Sequence, residues 1–380
     1  MAALRSLDLF TGTGGIAYAL RGGIARPVAY CEIDPGARSI LEANMRRGHL
    51  HRAPIEEDVQ KIDHAQYKGK VDLIAGGFPC VGMSAMGRRE GLDNPASALF
   101  YDVVKLVEAI QPPLVFLENV GNIVSIALDE IVAELGGRLG YELRWVTLAS
   151  YVVGSPQSRE RWFLLAVRPG YNRKPIRLSK VEPFGWKEPP PPRMAPRPIP
   201  PDHKTRMGAL GNGVVPDVVR LAFLFLASGG SVRRLEDTPS SLRIDAMDLP
   251  GIGAVSIGKD KRLRKNGVFG TDREARSFPT PFGVEKPDLR LRLTPAGSRP
   301  GPVHPNVRTP LVKGELPLRT WGTPRHGNTG ACATLTERCA RDLPSQMKFE
   351  KGTPVSARRG IPNIAFVEYL MGVPPGFSSP

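Results

Sequence analysis

Over its first 168 residues the chain alternates short apolar runs with amphipathic stretches. The runs LRSLDLF (4–10), RPVAYCEI (26–33), VDLIAGG (71–77), PLVFLEN (113–119) and RWFLLAV (161–167) have the density and length of buried strands. Between the first two, GTGG reads as a turn and IAYALRGG as a helix closed by Gly22 and Gly23. A second helix is expected from Pro35, a favoured first-turn residue. Further amphipathic segments lie near 97–110 and 122–137. This alternation predicts an α/β fold: a mostly parallel, Rossmann-like sheet with helices on both faces. Such sheets take ligands at the carboxyl ends of their strands.

Beyond residue 169 the texture changes. EPPPPRMAPRPIPPDHK (188–204) is a stiff, extended connector. It leads into RMGALGNGVVPDVVRLAFLFLAS (206–228), read as a turn followed by an apolar helix from about Pro216. Residues 229–360 are rich in Gly, Pro, Thr and Arg and predict an irregular, basic β/loop module. IAFVEYLMGVPPGF (364–377) reads as a short helix ended by a proline-containing loop. The expected organisation is a catalytic domain over 1–228, a smaller module over 229–360 and a returning segment over 361–380.

Charge sharpens this division. The chain of 380 residues carries a formal net charge of +15, of which 1–227 contribute +5 and 228–360 contribute +11. A basic second part suggests a polyanionic partner there. The N-terminus lacks the layout of a signal peptide, and the sequence reads as having no apolar run near the ~20 residues of a bilayer span, so a cytoplasmic protein without membrane contact is expected. The four cysteines, Cys31, Cys80, Cys332 and Cys339, have no CxxC spacing. That argues against a zinc site or disulfide framework and for a reducing compartment. No metal is expected.

The candidate chemistry clusters at the predicted strand ends. Glycines 12, 14 and 15 after the first strand let the backbone approach a ligand, although the full G-x-G-x-x-G spacing is absent because Ala17 follows Gly14 by three. Glu32, about 20 residues on, is placed to take ribose hydroxyls, and Asp58 could accept from an adenine amino group. Cys80, in GGFPCVGMS, and Glu118, in FLENV, would sit at neighbouring strand ends and could share a cleft as nucleophile and acid. In GSPQSRERW (154–162), Gln157, Arg159 and Arg161 alternate along an extended segment and could face one side, suiting a base edge and a phosphate.

Taken in order, DLFTGTGG, CEIDP, EEDVQ, GGFPCVGMS, FLENV, GSPQSRERWF and LGNGVVP resemble the S-adenosylmethionine-dependent cytosine-5 methyltransferases, over roughly 7–227 and again in EYLMGVPPGF. The resemblance implies a class I methyltransferase fold, S-adenosylmethionine as cofactor and double-stranded DNA as partner. It implies that Phe10, Thr11, Gly12, Thr13, Gly14 and Gly15 line the cofactor, with Glu32 on the ribose and Ile33 against the adenine. Asp58 and Val59, Pro79, Leu99, and Asn212, Gly213 and Val214 complete that site. Cys80 would be the nucleophile, Glu118 the acid at cytosine N3, and Arg159 and Arg161 contacts beside the base. Ser84, Gln157 and Arg325, the last in TWGTPRHGNTG (320–330), would meet DNA.

Two departures stand out. Val81 follows the cysteine where the DNA enzymes commonly carry glutamine. LGNGVVP precedes the basic module instead of closing the chain, an order that resembles phage or viral enzymes. The expected activity is cytosine-5 methylation of a specific DNA sequence by a monomer, and the sequence leaves open whether a companion restriction endonuclease exists. A tRNA methyltransferase of the same family, a catalytically silent DNA-binding homologue and, more distantly, a nicotinamide dehydrogenase are the other readings.

Overall fold

The computed structural model describes residues 2–79, 98–157, 159–171, 183–186, 188–192, 195, 198–227, 253–255 and 361–380. Its centre is one sheet in the order β3-β2-β1-β4-β5-β7-β6-β8. The strands are β1 (Leu4–Leu9), β2 (Ala25–Cys31), β3 (Ile55–Glu56), β4 (Leu73–Gly77), β5 (Leu114–Val120), β6 (Glu142–Ala149), β7 (Glu160–Val167) and β8 (Gly253–Val255). β1 to β5 pair in parallel, whereas β7 runs antiparallel to both β5 and β6. The amino end of β7 therefore lies at the same edge as the carboxyl ends of β1, β2, β4 and β5.

The strands are apolar on both faces because each face is covered. One face carries α1 (Gly15–Leu20), α7 (His203–Asn212), α8 (Pro216–Ala227) and α9 (Ile364–Met371), packed over Leu73, Ala75, Phe116 and Phe163. The other carries α3 (His64–Tyr67), α4 (Leu99–Ile110), α5 (Ile123–Ile126), α6 (Leu128–Ile131) and a π-helical turn over Val132–Arg138, packed on Leu7, Ile74, Val115 and Trp162. α2 (Pro35–Arg46) starts at the expected proline, and the Asp34 side chain caps it by accepting from Ala37 N. Gly22 and Gly23 both take positive φ just past α1, as a helix stop requires.

Two expectations change. Residues 203–212 form α7 in place of the expected turn, because Met207 and Leu210 bury into the core and His203 Nε2 lies 2.8 Å from the Pro362 carbonyl. β6 was not singled out at all. The stretch 203–227 is, among the described residues, long and apolar enough by composition to span a bilayer, contrary to the sequence reading. It breaks at Gly213–Val215 and its apolar window is 72% buried inside the protein, as a core element is.

Candidate active site

The turn from β1 into α1 is built on unusual backbone. Phe10 takes φ +50°, which few non-glycine residues adopt, and Gly12 and Gly14 take +57° and +91°. Strain of this kind persists only where neighbours hold it. Here Thr11 N donates to the Cys31 carbonyl (3.0 Å) and Thr11 Oγ1 to the Asp8 carbonyl (2.7 Å). Glu32 receives Gly12 N at 2.6 Å on Oε2 and Asp34 N at 2.9 Å on Oε1, so its carboxylate is fixed at the mouth of the turn.

Around that turn the other expected cofactor residues assemble unevenly. A Cβ on Gly15 would lie 2.8 Å from Val214 Cγ2, so the absence of a side chain lets the Gly213–Val215 turn close over it. A Cβ on Gly12 would meet nothing within 4 Å, which leaves space beside Glu32. Thr13 is buried, and Ile33 is 68% exposed, far more than a large aliphatic normally is. Asp58 caps the 3₁₀ turn Val59–Lys61 by accepting from Gln60 N at 3.0 Å, and Val59 is buried beneath it. Pro79 is half-buried after β4, Leu99 starts α4 half-buried, and Asn212 is exposed at the end of α7.

The second half of the site lies across β4, β5 and β7. Register pairs Gly77 with Glu118 and Val120 with Arg161. Glu118 is buried; its Oε1 accepts from Arg161 Nε at 2.9 Å, and its Oε2 lies 2.6 Å from where a Cβ on Gly77 would be. Burial pushes the Glu118 carboxyl above its ordinary range, and the charges of Arg161 and Arg159 only partly offset this. Asn119 donates from Nδ2 to the Phe78 carbonyl at 3.2 Å and accepts Val120 N at 2.8 Å. It thereby fixes the backbone two residues before Cys80 relative to Glu118.

The arginine segment divides its side chains among three sets of partners. Arg159 is buried and donates from Nη2 to the Gly211 carbonyl (3.0 Å) and to that of Gly213, which holds the turn above Gly15. Arg161 turns to Glu118. Gln157 is fully buried, and its Nε2 donates to the Leu370 carbonyl at 2.5 Å. Gln157, expected at DNA, is thereby fastened beneath α9. Cys80, Ser84 and Arg325 lie outside the described residues, as does Val81. Asn119 was missed although it directly follows Glu118, because its partner lies 41 residues away.

These halves converge at one edge of the sheet, and comparison with known proteins decides what they belong to. The model of the C-5 cytosine-specific DNA methylase family matches residues 4–221. The chain belongs to that family. The protein is a DNA cytosine-5 methyltransferase, as the ordered motifs implied. It is 31% identical over 370 residues to the type II methyltransferase M.CviJI of Paramecium bursaria Chlorella virus IL3A, covering 91% of each chain. It is 30% identical over 185 residues to the type II methyltransferase M.HhaI of Haemophilus parahaemolyticus, covering 47% of this chain and 54% of that one. One match of nearly full length is thus to a viral methyltransferase, in keeping with the motif order. Among solved structures, the S. pombe Dnmt2 methyltransferase aligns with TM-score 0.39 and 22% identity over 51% of this chain and 64% of its own.

Proposed function

We propose that this methyltransferase uses S-adenosylmethionine to methylate C5 of a cytosine turned out of a DNA duplex, with Cys80 adding to C6 and Glu118 serving N3. The single observation that carries the reading is the fixed Glu118 carboxyl, held by Arg161 and crowded against Gly77 beside the backbone that leads to Cys80.

The residues present fit the cofactor. A nucleoside needs a carboxylate for its ribose, an apolar surface for its base and room against the backbone. Glu32, the exposed Ile33 and the open space at Gly12 offer these side by side, and Asp58 is available for the adenine amino group. When bound, S-adenosylmethionine supplies the electrophilic sulfonium methyl group.

The chain's own groups make cytosine reactive enough to take it. The Cys80 thiolate forms a bond to C6 while Glu118 gives a proton to N3, and the electron pair moves to C5. After C5 gains the methyl group, a base removes its proton, the Cys80–C6 bond breaks and N3 returns its proton to Glu118, restoring the ring, the thiolate and the acid. Burial keeps Glu118 protonated to higher pH than an ordinary carboxyl, which is what a proton donor requires. Alignment of reacting groups in such a site contributes ~7–11 kcal/mol. Extruding the base costs a few kcal/mol, which contacts to DNA must offset.

The basic residues 229–360, with net charge +11, supply the recognition module in this reading, acting on DNA as a monomer in the cytoplasm. The type II designation of its relatives supports a companion endonuclease. Bisulfite sequencing of DNA from cells expressing the chain tests the reading: 5-methylcytosine should appear at one short sequence. Label transferred from S-adenosylmethionine to tRNA and never to DNA would overturn the substrate.

A further inference from the structure

We propose that Asn44 is a positioning residue through which the segment after α9 sets the shape of the cofactor turn. The inference rests on the cofactor reading above. Asn44 lies on α2 with no exposed surface, and its Nδ2 donates to two carbonyls from distant parts of the chain: Thr13 at 3.1 Å and Phe377 at 2.9 Å. Thr13 stands between Gly12 and Gly14, both at positive φ and neither with a side chain to anchor the turn. Glu32 holds this turn at Gly12 N, and Asn44 holds it at the Thr13 carbonyl, the side facing α2. Asn44 Oδ1 is buried without a partner, a cost that an apolar residue of similar size would avoid. The amide is therefore poorly explained as filling and well explained by its two donated bonds.

The other end of this link is itself rigidly held. Glu368 on α9 is buried and accepts Gly376 N (2.9 Å), Ser378 N (2.9 Å) and Ser378 Oγ (2.6 Å), and pairs with Arg206 at 3.2 Å. Arg47 donates from Nη1 to the Ser379 carbonyl at 2.8 Å. The Phe377 ring packs edge-on to Tyr18 with centroids 5.1 Å apart. α9 is fastened in turn to the arginine segment, since Ser155 Oγ and Gln157 Nε2 both donate to the Leu370 carbonyl. A hydrogen-bonded path thus runs from the Thr13 turn through Asn44, residues 376–378, Glu368 and α9 to the segment carrying Arg159 and Arg161. Asn44 is the single side chain in this path that touches the cofactor turn.

Calorimetric titration of the full chain with S-adenosylmethionine, alongside steady-state methylation, tests this. Asn44→Leu should raise the Kd for S-adenosylmethionine about tenfold, as loss of two hydrogen bonds of ordinary worth implies. At saturating cofactor its kcat and its KM for DNA should stay within about twofold of wild type. Amide exchange at residues 12–14 should quicken in the variant without cofactor. A lowered melting temperature with unchanged cofactor Kd and unchanged exchange would make Asn44 merely structural and overturn the proposal. If Asn44→Leu does not fold, Arg47→Ala, on the exposed side of the same segment, should still raise the Kd two- to threefold, and an unchanged Kd there counts against the link. Wild-type protein that binds no S-adenosylmethionine would reject the cofactor reading; wild-type binding with unaltered variants rejects this inference alone.

Discussion

Glu118 Oε2 lies 2.6 Å from the point where a side chain on Gly77 would begin. Gly77 and Glu118 are direct partners in the parallel β4–β5 pairing, so the acid of the proposed mechanism is seated in space made by a missing Cβ. Gly77→Ala must displace the carboxylate or spread the strands. It should cut kcat by at least tenfold, a loss that small displacements of reacting groups readily produce. The cofactor Kd should remain unchanged. Single-turnover methylation with saturating S-adenosylmethionine reads the first, and calorimetry the second.

Arg161 has two opposed effects on Glu118. It orients the carboxyl through a 2.9 Å bond, and its charge draws the pKa down against the larger upward push of burial. Arg161→Gln removes that charge, so the Glu118 pKa should rise further. Because the proposed mechanism uses the protonated carboxyl, the basic limb of the pH–rate profile should move to higher pH. The maximum rate should fall, by roughly 10–100-fold, because orientation is lost. A basic limb that shifts down or stays in place would separate it from Glu118.

Asp8, on β1 beneath the cofactor turn, is fully enclosed, and burial pushes its carboxyl up to about 7. An unfolded aspartate titrates near 3.9. The folded state thus holds a proton that the unfolded state releases between these values. Its stabilising effect is complete below about pH 4, falls as pH rises, and is gone above about pH 7. Asp8→Asn removes the ionisable group, and should flatten stability over that window and exceed wild type at pH 8 by ~1–3 kcal/mol. Urea unfolding at pH 5 and pH 8 checks both statements.

Gly14→Ala should be severely damaging. Its φ of +91° disfavours any side chain, and a Cβ would drive into Leu50 and Leu41 beneath the turn. A loss of ~2–4 kcal/mol in stability is expected from strain and overpacking together. Gly12→Ala, at φ +57° but in open space, should cost less stability and still weaken cofactor binding. Equal effects of the two on melting temperature would contradict this division.

The strands that position the site were legible because most of their positions are buried on both faces, so apolar residues dominate each run. β6 was not, since Glu142, Arg144 and Trp145 stay partly exposed and interrupt the run. α7 was hidden by Gly208 and Gly211, whose low helix propensity is overridden by burial of Met207 and Leu210. The glycines, Glu32 and Glu118 were candidates from the sequence because their expected chemistry depends on position along strands. Asn44 and Asn119 were not, because each acts on a carbonyl that only folding brings near; for Asn44 and Phe377 the separation is 333 residues. The burial of Gln157 is illegible for a related reason: alternation gives a direction along the segment, but not the cover that α9 provides.

The most direct test of the central claim uses wild type and Cys80→Ala, each incubated with duplex DNA and S-adenosylmethionine labelled in its methyl group, followed by mass analysis of the digested nucleosides. Wild type should yield labelled 5-methyldeoxycytidine, whereas Cys80→Ala should yield none while binding S-adenosylmethionine with unchanged Kd. Undiminished 5-methyldeoxycytidine from Cys80→Ala, or label found only at a nitrogen of a base, would contradict the account.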